Sequence, residues 1–293
     1  MEISKVGVVG CGLMGHGIAQ ICAQNGWDVV VREVDQETLD KGIAKIDKQL
    51  AKAVDKGKLE QSDADTTRGR ITGTLDYADF ADCDLVIEAI TEDLDGKREM
   101  WREVEAVAKD DAHFASNTSS LSVAEQAAAT SRPERFIGLH FFNPPQVMPL
   151  LEVVRAEESG DDAVQLGFDL GDELGKTTVA AQDNRGFIVN RLLVPYMLDA
   201  MRAYEQGVGS IEDIDAGMKA GASHPMGPLT LADFVGLDTM VSITSVMHDA
   251  YGEDRFAAPD VLTKLVEAGD YGRKSGKGFY DYSGDAPVPR ELS

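Results

Sequence analysis

A histidine and a carboxylate stand twelve residues apart in an otherwise apolar stretch, GLHFFNPPQVMPLLEVV, at residues 138–154. Neutral His140 can accept a proton near neutral pH, because the unperturbed pKa of imidazole is about 6.5. Glu152 could orient the ring and stabilise the imidazolium that forms. His140 is predicted to end one strand and Glu152 to lie in the next, so that the loop between them brings the two side chains face to face. The hypothesis is a general acid–base pair, and the alternative is a core histidine with satisfied hydrogen bonds.

Two further polar residues lie on apolar segments. Ser119 follows the strand-like segment FASNTS, and Asn190 lies in the first turns of a predicted helix, GFIVNRLL. Either could donate a hydrogen bond to a developing oxyanion or hold a substrate oxygen. Taken alone, Ser119 is more typical of a turn, and Asn190 of a polar group in helix packing.

The glycines of KVGVVGCGLMGHGI predict a dinucleotide-binding turn between a strand and a helix. Gly10 suits the tight turn, Gly12 lets a pyrophosphate approach the backbone, and Gly15 allows close packing of helix and strand. The helix N-terminus would offer free N–H groups to the phosphates. A glycine-rich turn without a ligand is the alternative.

The predicted second strand, WDVVVREVD, should end in an acid that accepts hydrogen bonds from a ribose diol. Glu33 and Asp35 compete for this role, and Glu33 is preferred because it comes directly at the end of the strand. An acid at this position disfavours a 2′-phosphate, which predicts NAD rather than NADP. Arg32 is the residue that could instead serve the phosphorylated cofactor.

Residues 41–58 are basic in a very acidic chain, with six lysines against two acids. Five of the lysines recur at helical spacing and should share one face, opposite a face of apolar residues. They are Lys41, Lys45, Lys48, Lys52 and Lys56. The segment is either a solvated amphipathic helix or, as its contrast with the rest of the chain favours, a site for a polyanionic ligand.

The whole chain has 51 acidic and 28 basic residues, a net charge of −23 and a pI near 4.5. Such a surface repels nucleic acid and anionic lipid. It predicts adaptation to molar salt, where charges are screened within about 3 Å, with ordinary acidic solubility as the alternative. We expect a cytoplasmic protein without a membrane span or secretory signal, since no apolar run reaches 18 residues and the three cysteines have no disulfide or metal spacing.

The first half alternates apolar strand-like runs with helical stretches, which predicts a mostly parallel sheet covered by helices. The runs are Val6–Val9, Val29–Val31, Leu85–Ile87, Phe136–Leu139 and Leu151–Val154. Strand signals stop near Gly186, so residues 1–183 are predicted to form an α/β Rossmann-type domain and residues 184–293 an all-helical domain.

The second domain should open with a long helix over Phe187–Tyr204, bent near Pro195. Ser210 then resembles the start of a capping box, and further helices are predicted over Thr239–Tyr251 and Val261–Ala268. Among the remaining histidines, His113 is expected to be exposed.

Taken together, the motifs resemble the L-3-hydroxyacyl-CoA dehydrogenase family in its stand-alone form, in family order and over nearly the whole chain. They are GCGLMGHGIA, VIEAITED, ASNTSSL, GLHFFNPPQVMPLLEVV, GFIVNRLLVPY, HPMGPLTLADFVGLDT and GRKSGKGFYDY. The resemblance implies NAD-dependent oxidation of a 3-hydroxyacyl-CoA to a 3-ketoacyl-CoA, and a homodimer formed through the helical domain.

The resemblance also implies roles for individual residues. His140 matches the catalytic base, Glu152 its charge partner, Ser119 the serine near the substrate oxygen, and Asn190 the asparagine that polarises it. Glu92 matches a glutamate near the cofactor. The helical segment at about 36–70 matches the part that contacts CoA, with Lys48, Lys52 and Lys56 as its candidate contacts.

One residue departs from the family pattern, because Glu33 stands where the family usually has aspartate. Two other functions stay open: a dehydrogenase of free 3-hydroxy acids, which would not need the lysines, and an NAD-binding protein without catalysis.

Overall fold

The computed structural model describes residues 3–292. The chain divides into two compact units, of which the first ends at Phe187 and the second begins at Ile188. This division and the predicted boundary between residues 183 and 184 both fall between the last strand of the first unit, which ends at Gln182, and the helix that begins at Val189.

The first unit is built on an eight-stranded, mostly parallel sheet, as predicted. The strands are β1 (Lys5–Val9), β2 (Asp28–Arg32), β3 (Ile71–Thr74), β4 (Leu85–Glu88), β5 (His113–Ser116), β6 (Phe136–Phe141), β7 (Leu150–Arg155) and β8 (Thr177–Gln182). Their spatial order is β3-β2-β1-β4-β5-β6-β7-β8. The first six strands are parallel, β7 runs antiparallel to β6, and β8 is parallel to β7. The edge strands β3 and β8 lie outside the predicted apolar runs because half-exposed and exposed positions dominate both of them.

Helices cover both faces of this sheet. They are α1 (Gly15–Gln24), α2 (Gln36–Asp55), α3 (Gln61–Gly69), α4 (Leu94–Val107), α5 (Val123–Ala127) and α6 (Asp161–Glu173). Alternate residues of β1 enter different cores, with Val8 in one and Val9 in the other, because successive strand side chains point to opposite faces.

Helix α2 carries the predicted basic face. Asp35, the competitor of Glu33, is its N-cap, and the Asp35 carboxylate accepts a hydrogen bond from the Thr38 amide at 2.7 Å. The lysines at the predicted spacing are exposed, whereas Leu39, Ile46 and Leu50 are buried. A Cβ at Gly42 would lie 2.4 Å from the sulfur of Cys11, so α2 packs tightly against the glycine-rich turn.

The second unit is mainly helical. Its elements are α7 (Val189–Glu205), α8 (Ile211–Gly221), α9 (Pro228–Val235), α10 (Leu237–Tyr251), α11 (Asp260–Glu267), and the strands β9 (Tyr280–Asp281) and β10 (Val288–Pro289). The prediction that this unit contains no strands is therefore wrong, because it has one small hairpin. The two-residue strands of the hairpin are too short to give a periodic signal. No single helix in residues 3–292 is long and apolar enough to cross a membrane, and α9 with α10 meets that criterion only as a pair bent by 94°.

The first turns of this unit differ slightly from the prediction. Helix α7 begins at Val189 rather than Phe187, because Phe187 has a positive φ of 47°, which is incompatible with a right-handed helix. The helix continues through Pro195, and a bend there stays a prediction. Ser210 caps α8 as predicted, accepting a hydrogen bond from the Asp213 amide at 3.1 Å.

Two buried carboxylates organise the second unit. Asp215 of α8 accepts hydrogen bonds from the Leu229 amide at 2.8 Å and the Tyr280 hydroxyl at 2.9 Å. Asp233 of α9 accepts bonds from the amides of Phe279 and Tyr280, both at 2.9 Å. The short hairpin is thus tied to two helices by buried hydrogen bonds, each of which is costly to break.

His113 is buried, against expectation. It begins β5, is 2% exposed, and has no hydrogen-bond partner on either ring nitrogen within residues 3–292. The nearest carboxylate oxygen, on Asp162, lies 3.9 Å from Nε2. Burial, assisted by the positive charge of Arg135, lowers the pKa of His113 below its ordinary value of 6.5.

This burial predicts a pH-dependent loss of stability. Because the folded pKa is lowered, the unfolded chain binds the proton first as the pH falls below 6.5, and the free energy of unfolding decreases. Urea unfolding of His113→Leu should therefore show a smaller loss between pH 7.5 and 5.5 than the wild type. At pH 7.5 the variant should be as stable as the wild type or about 1 kcal/mol more stable, since two unpaired polar atoms are removed. Equal losses in both proteins would contradict the prediction.

Candidate active site

The glycine-rich turn has the predicted conformational requirements. Gly10 has a φ of 95°, and a Cβ there would lie 2.7 Å from the Ala89 carbonyl oxygen. A Cβ at Gly15 would lie 1.8 Å from the carbonyl oxygen of Gly10, whereas one at Gly12 would meet nothing within 4 Å. Gly12 therefore presents bare backbone to an open space at the start of α1. This arrangement suits a pyrophosphate.

A cavity of about 760 Å³ opens at the carboxyl ends of β1, β2 and β4. It lies beside β1, where the sheet continues to β2 on one side and to β4 on the other. Doubly wound sheets bind ligands at such a switch point. Its lining includes Gly10, Gly12, Leu13, Met14, Arg32, Glu33, Val34, Thr38, Tyr77, Ala89, Ile90, Thr91, Gly96, Glu99, Met100 and Glu103.

Glu33 is held in the wall of this cavity. Its Oε1 accepts a hydrogen bond from the Cys11 amide at 2.6 Å, and its Oε2 accepts one from the Val34 amide at 3.1 Å. Arg32 lines the same cavity, with its guanidinium carbon 4.1 Å from the centre of the Tyr77 ring, which lines it as well. Each carboxylate oxygen of Glu33 keeps a second lone pair. A ribose diol fits such a fixed acceptor better than a 2′-phosphate does.

Glu92 belongs to an ionic cluster around the buried ammonium of Lys97, although the Glu92 side chain is itself 38% exposed. The ammonium of Lys97, which is 1% exposed, lies 2.8 Å from Glu92 and 3.0 Å from Glu88. Glu92 also accepts hydrogen bonds from the Ser119 amide at 2.9 Å and from the Thr118 hydroxyl. Ser119 is therefore positioned through Glu92. The two glutamates of VIEAITED and the lysine that follows them were the available signal.

Glu88 is the innermost member of this cluster. Burial raises the pKa of its carboxyl, while the charge of Lys97 and a hydrogen bond from the Ser116 hydroxyl at 2.6 Å oppose that rise. The Ile90 amide donates to it as well, at 2.8 Å. Glu88 thus has the Lys97 ammonium, the Ser116 hydroxyl and the Ile90 amide within hydrogen-bond distance, as a buried carboxyl group requires.

His140 and Glu152 meet as predicted. They are directly opposed residues of the antiparallel pair β6–β7, and His140 Nδ1 lies 2.6 Å from Glu152 Oε2. The exposed fractions are 5% for His140 and 0% for Glu152. Because a carboxylate only accepts, Nδ1 carries the hydrogen, and Nε2 of the neutral ring keeps the lone pair. The pairing is confirmed, and the catalytic role stays a prediction.

Neighbouring groups fix the end of β6. The rings of Phe142 and Phe187 lie 4.6 and 5.4 Å from that of His140, centroid to centroid. Asn117, just beyond β5, accepts a hydrogen bond from the Phe141 amide at 3.0 Å. Since β5 and β6 are parallel neighbours, Ser119 and His140 emerge at the same end of the sheet.

The other predicted site residues are less closely tied to this pair. Asn190 lies half-buried in the first turn of α7, in the second unit, and its role stays a prediction. Lys48 and Lys52 are exposed on α2, and Lys56 is exposed at its C-cap. Within residues 3–292 no three histidine, cysteine or acidic side chains are grouped so as to hold a metal ion.

Comparison with known proteins places these features in a family. Residues 5–184 match the model of the 3-hydroxyacyl-CoA dehydrogenase NAD-binding domain, and residues 186–282 match that of the C-terminal domain. A probable 3-hydroxybutyryl-CoA dehydrogenase of Deinococcus radiodurans is 46% identical, over 95% of this chain and 100% of the relative. The 3-hydroxybutyryl-CoA dehydrogenase of Bradyrhizobium diazoefficiens is 45% identical over 98% of both chains.

Solved structures agree with this assignment. Mycobacterium tuberculosis FadB2 superimposes with a TM-score of 0.94 at 44% identity, covering 97% of this chain and 100% of that one. The (S)-3-hydroxybutyryl-CoA dehydrogenase PaaH1 of Ralstonia eutropha gives a TM-score of 0.92 at 40% identity, with the same coverage. By sequence and by fold, the chain belongs to the 3-hydroxyacyl-CoA dehydrogenase family, with its NAD-binding domain first and its C-terminal domain second.

Proposed function

We propose that the protein oxidises (S)-3-hydroxyacyl-CoA thioesters to 3-ketoacyl-CoA with NAD, and catalyses the reverse reduction. The observation that carries this proposal is the buried His140–Glu152 pair, joined at 2.6 Å across two strands. Relatives named 3-hydroxybutyryl-CoA dehydrogenase over nearly the whole chain support a short acyl chain as the first substrate to test.

The cofactor site fits NAD by its own geometry. The open backbone at Gly12 and the start of α1 would receive the pyrophosphate, and the anchored Glu33 would accept hydrogen bonds from the adenosine ribose. When bound, NAD supplies the acceptor for the hydride that leaves C3. Glu92 is proposed to lie near the cofactor while it holds the Ser119 backbone.

His140 moves the proton in this mechanism. Its Nε2 removes the proton of the C3 hydroxyl, and Glu152 stabilises the resulting imidazolium in a site that water hardly reaches. Ser119 and Asn190 hold the C3 oxygen by hydrogen bonds. In the reverse direction protonated His140 polarises the ketone and returns the proton. The hydride that leaves C3 and the proton that leaves the C3 hydroxyl thus each have a defined acceptor.

The positive charge of the lysine face supports a CoA thioester as the substrate. Lys48, Lys52 and Lys56 form an exposed cationic face on a chain of net charge −23. Such local contrast concentrates an anionic ligand near α2 and the adjoining glycine-rich turn. A dehydrogenase of free 3-hydroxy acids would have no use for this face, and an NAD-binding protein without catalysis would have no use for the buried acid–base pair.

The remaining proposals concern assembly and conditions. We infer a homodimer formed through the second unit, where Leu192, Val208 and Phe234 are 69%, 72% and 51% exposed. We also infer a cytoplasmic enzyme adapted to high salt, because 51 acids repel one another strongly when salt is low.

Removal of either partner of the acid–base pair should abolish most turnover. We expect His140→Ala and Glu152→Gln to lower kcat for acetoacetyl-CoA reduction by about 10²–10⁴, with NADH still bound, as followed by its fluorescence. His248→Ala, a half-exposed histidine of α10, serves as the matched control and should keep wild-type turnover. Near-normal kcat in both site variants would refute the assigned roles.

Neutralising the lysine face should weaken binding of CoA substrates specifically. The triple variant Lys48→Gln, Lys52→Gln, Lys56→Gln should raise KM for acetoacetyl-CoA about tenfold, since exposed charge pairs contribute roughly 0.2–1 kcal/mol each. The KM for free acetoacetate should not change. A charge-matched triple variant at Lys219, Lys264 and Lys277, all exposed in the second unit, is the control. Equal activity on the free acid and the thioester would instead favour the free-acid enzyme.

Salt should stabilise the enzyme and its assembly. Thermal unfolding and analytical ultracentrifugation in 0.1, 1 and 3 M KCl should show a rising Tm and a dimer that persists at high salt. The physical reason is screening, because the Debye length falls from about 10 Å at 0.1 M to about 3 Å at 1 M. A Tm that is independent of salt would contradict the salt adaptation, and a monomer at every salt concentration would contradict the dimer.

A further inference from the structure

Three polar side chains of the first unit form a continuous hydrogen-bonded chain. His16 Nδ1 lies 2.5 Å from the Gly12 carbonyl oxygen, and His16 Nε2 lies 2.8 Å from Gln49 Nε2. The amide nitrogen of Gln146 donates to Gln49 Oε1 at 2.6 Å. The chain therefore runs from Gln146 through Gln49 and His16 to the glycine-rich turn.

The partners determine the direction of every bond. A carbonyl oxygen only accepts, so His16 Nδ1 carries the hydrogen, and Nε2 of the neutral ring accepts from Gln49. Gln49 Oε1 is then free to accept from Gln146. Burial, with help from the charge of Lys45, lowers the pKa of His16 and keeps the ring in this neutral form.

The chain joins three parts of the proposed site. Gly12 is the open backbone position of the dinucleotide turn. Gln49 lies on α2 between Lys45 and Lys52, one helical turn away on either side and therefore on the same side of the helix. Gln146 lies in the 142–149 loop, which links the strand that carries His140 to the strand that carries Glu152.

The 142–149 loop has little freedom to absorb a movement of α2. The ammonium of Lys176 donates to the carbonyl oxygens of Pro145 at 2.5 Å and Met148 at 2.8 Å. The loop also packs on α1, since a Cβ at Gly17 would lie 2.6 Å from Gln146 Oε1. A displacement of Gln49 is therefore transmitted to the dinucleotide turn and to this loop, because the loop is too constrained to absorb it.

A hydrogen-bonded chain of this kind fixes the relative positions of the elements that it joins rather than adding to stability. Buried Gln146 Oε1 has no hydrogen-bond partner within residues 3–292, which costs free energy that an apolar contact would not. Directional polar networks in return select one arrangement of the elements that they join.

We propose that Gln49, His16 and Gln146 are positioning residues that couple occupation of the lysine face of α2 to the dinucleotide turn. The proposal rests on the proposed function, in which that face receives CoA. An acyl-CoA that steadies α2 holds Gln49, and Gln49 holds His16 against the Gly12 carbonyl. Binding of the two ligands is then cooperative, and by linkage each strengthens the other by the same factor.

The experiment measures this coupling directly. NADH fluorescence gives the Kd of NADH with and without saturating 3-hydroxybutyryl-CoA, a pair of ligands that cannot react because both are already reduced. In the wild type the thioester should tighten NADH binding about fivefold or more. In Gln49→Met, which keeps the shape but removes both hydrogen bonds, the factor should fall to within about twofold of unity.

Controls separate coupling from general damage. Gln61→Met makes the same chemical change at the start of α3, where Gln61 bonds to Asp65 at 2.7 Å, and should keep the wild-type factor. Gln146→Met tests the chain from its other end, so the proposal does not depend on one variant folding. In the double variant of Gln49 and Gln146, the coupling factor should be no lower than in Gln49→Met alone, because both changes interrupt the same chain.

The outcomes distinguish this proposal from the function on which it rests. A wild type with equal NADH affinity with and without the thioester overturns the coupling, and so does full coupling in Gln49→Met. Turnover of acetoacetyl-CoA is measured separately, and its absence overturns the proposed function. The coupling factor is obtained from binding alone. It therefore tests the coupling even in a protein that shows no turnover.

Discussion

The site depends on a carboxylate and an imidazole buried opposite each other in a sheet. His140 and Glu152 can face each other because β7 reverses direction after six parallel strands. In an antiparallel pair, opposed residues lie within about 4.5–5.5 Å at Cα, which is close enough for a short hydrogen bond between side chains. A buried carboxylate needs such partners, since it loses its hydration on folding. The antiparallel reversal therefore makes the proposed chemistry feasible.

The same solution to buried charge recurs throughout the molecule. Glu33 is held by the backbone amides of Cys11 and Val34, and Asp233 by the amides of Phe279 and Tyr280. Buried Glu88 and the more exposed Glu92 share the buried ammonium of Lys97. Removing one member of such a group leaves the others unpaired, which is far more costly than the net gain from forming the bond. These acids are consequently rigid, and rigid acceptors suit both cofactor selection and the placement of Ser119.

Charge on the surface is arranged on a larger scale. The chain carries 51 acids, yet one exposed face of α2 is lined with lysines. The lysines stay exposed because Leu39, Ile46 and Leu50 bury the opposite side of the helix. Gly42 lets that side approach Cys11 and the dinucleotide turn. A cationic surface and the proposed phosphate site of the cofactor are thereby held on adjoining elements. Electrostatic attraction over such a distance depends strongly on salt, which links substrate capture to the conditions inferred from the composition.

The sequence alone determined the fold class, the glycine-rich turn, the two faces of α2 and the His140–Glu152 pairing. Each of these has a local signal, such as strand alternation, glycines at fixed spacing, helical periodicity, or titratable residues in an apolar stretch. Only the tertiary structure revealed the edge strands β3 and β8, buried His113, the Lys97 cluster and the chain from Gln146 to His16. Edge strands lack an apolar run, and burial of a histidine depends on what packs over it. Contacts between Gln49 and residues 33 positions before it and 97 positions after it arise from strand order and helix packing, which no local pattern records.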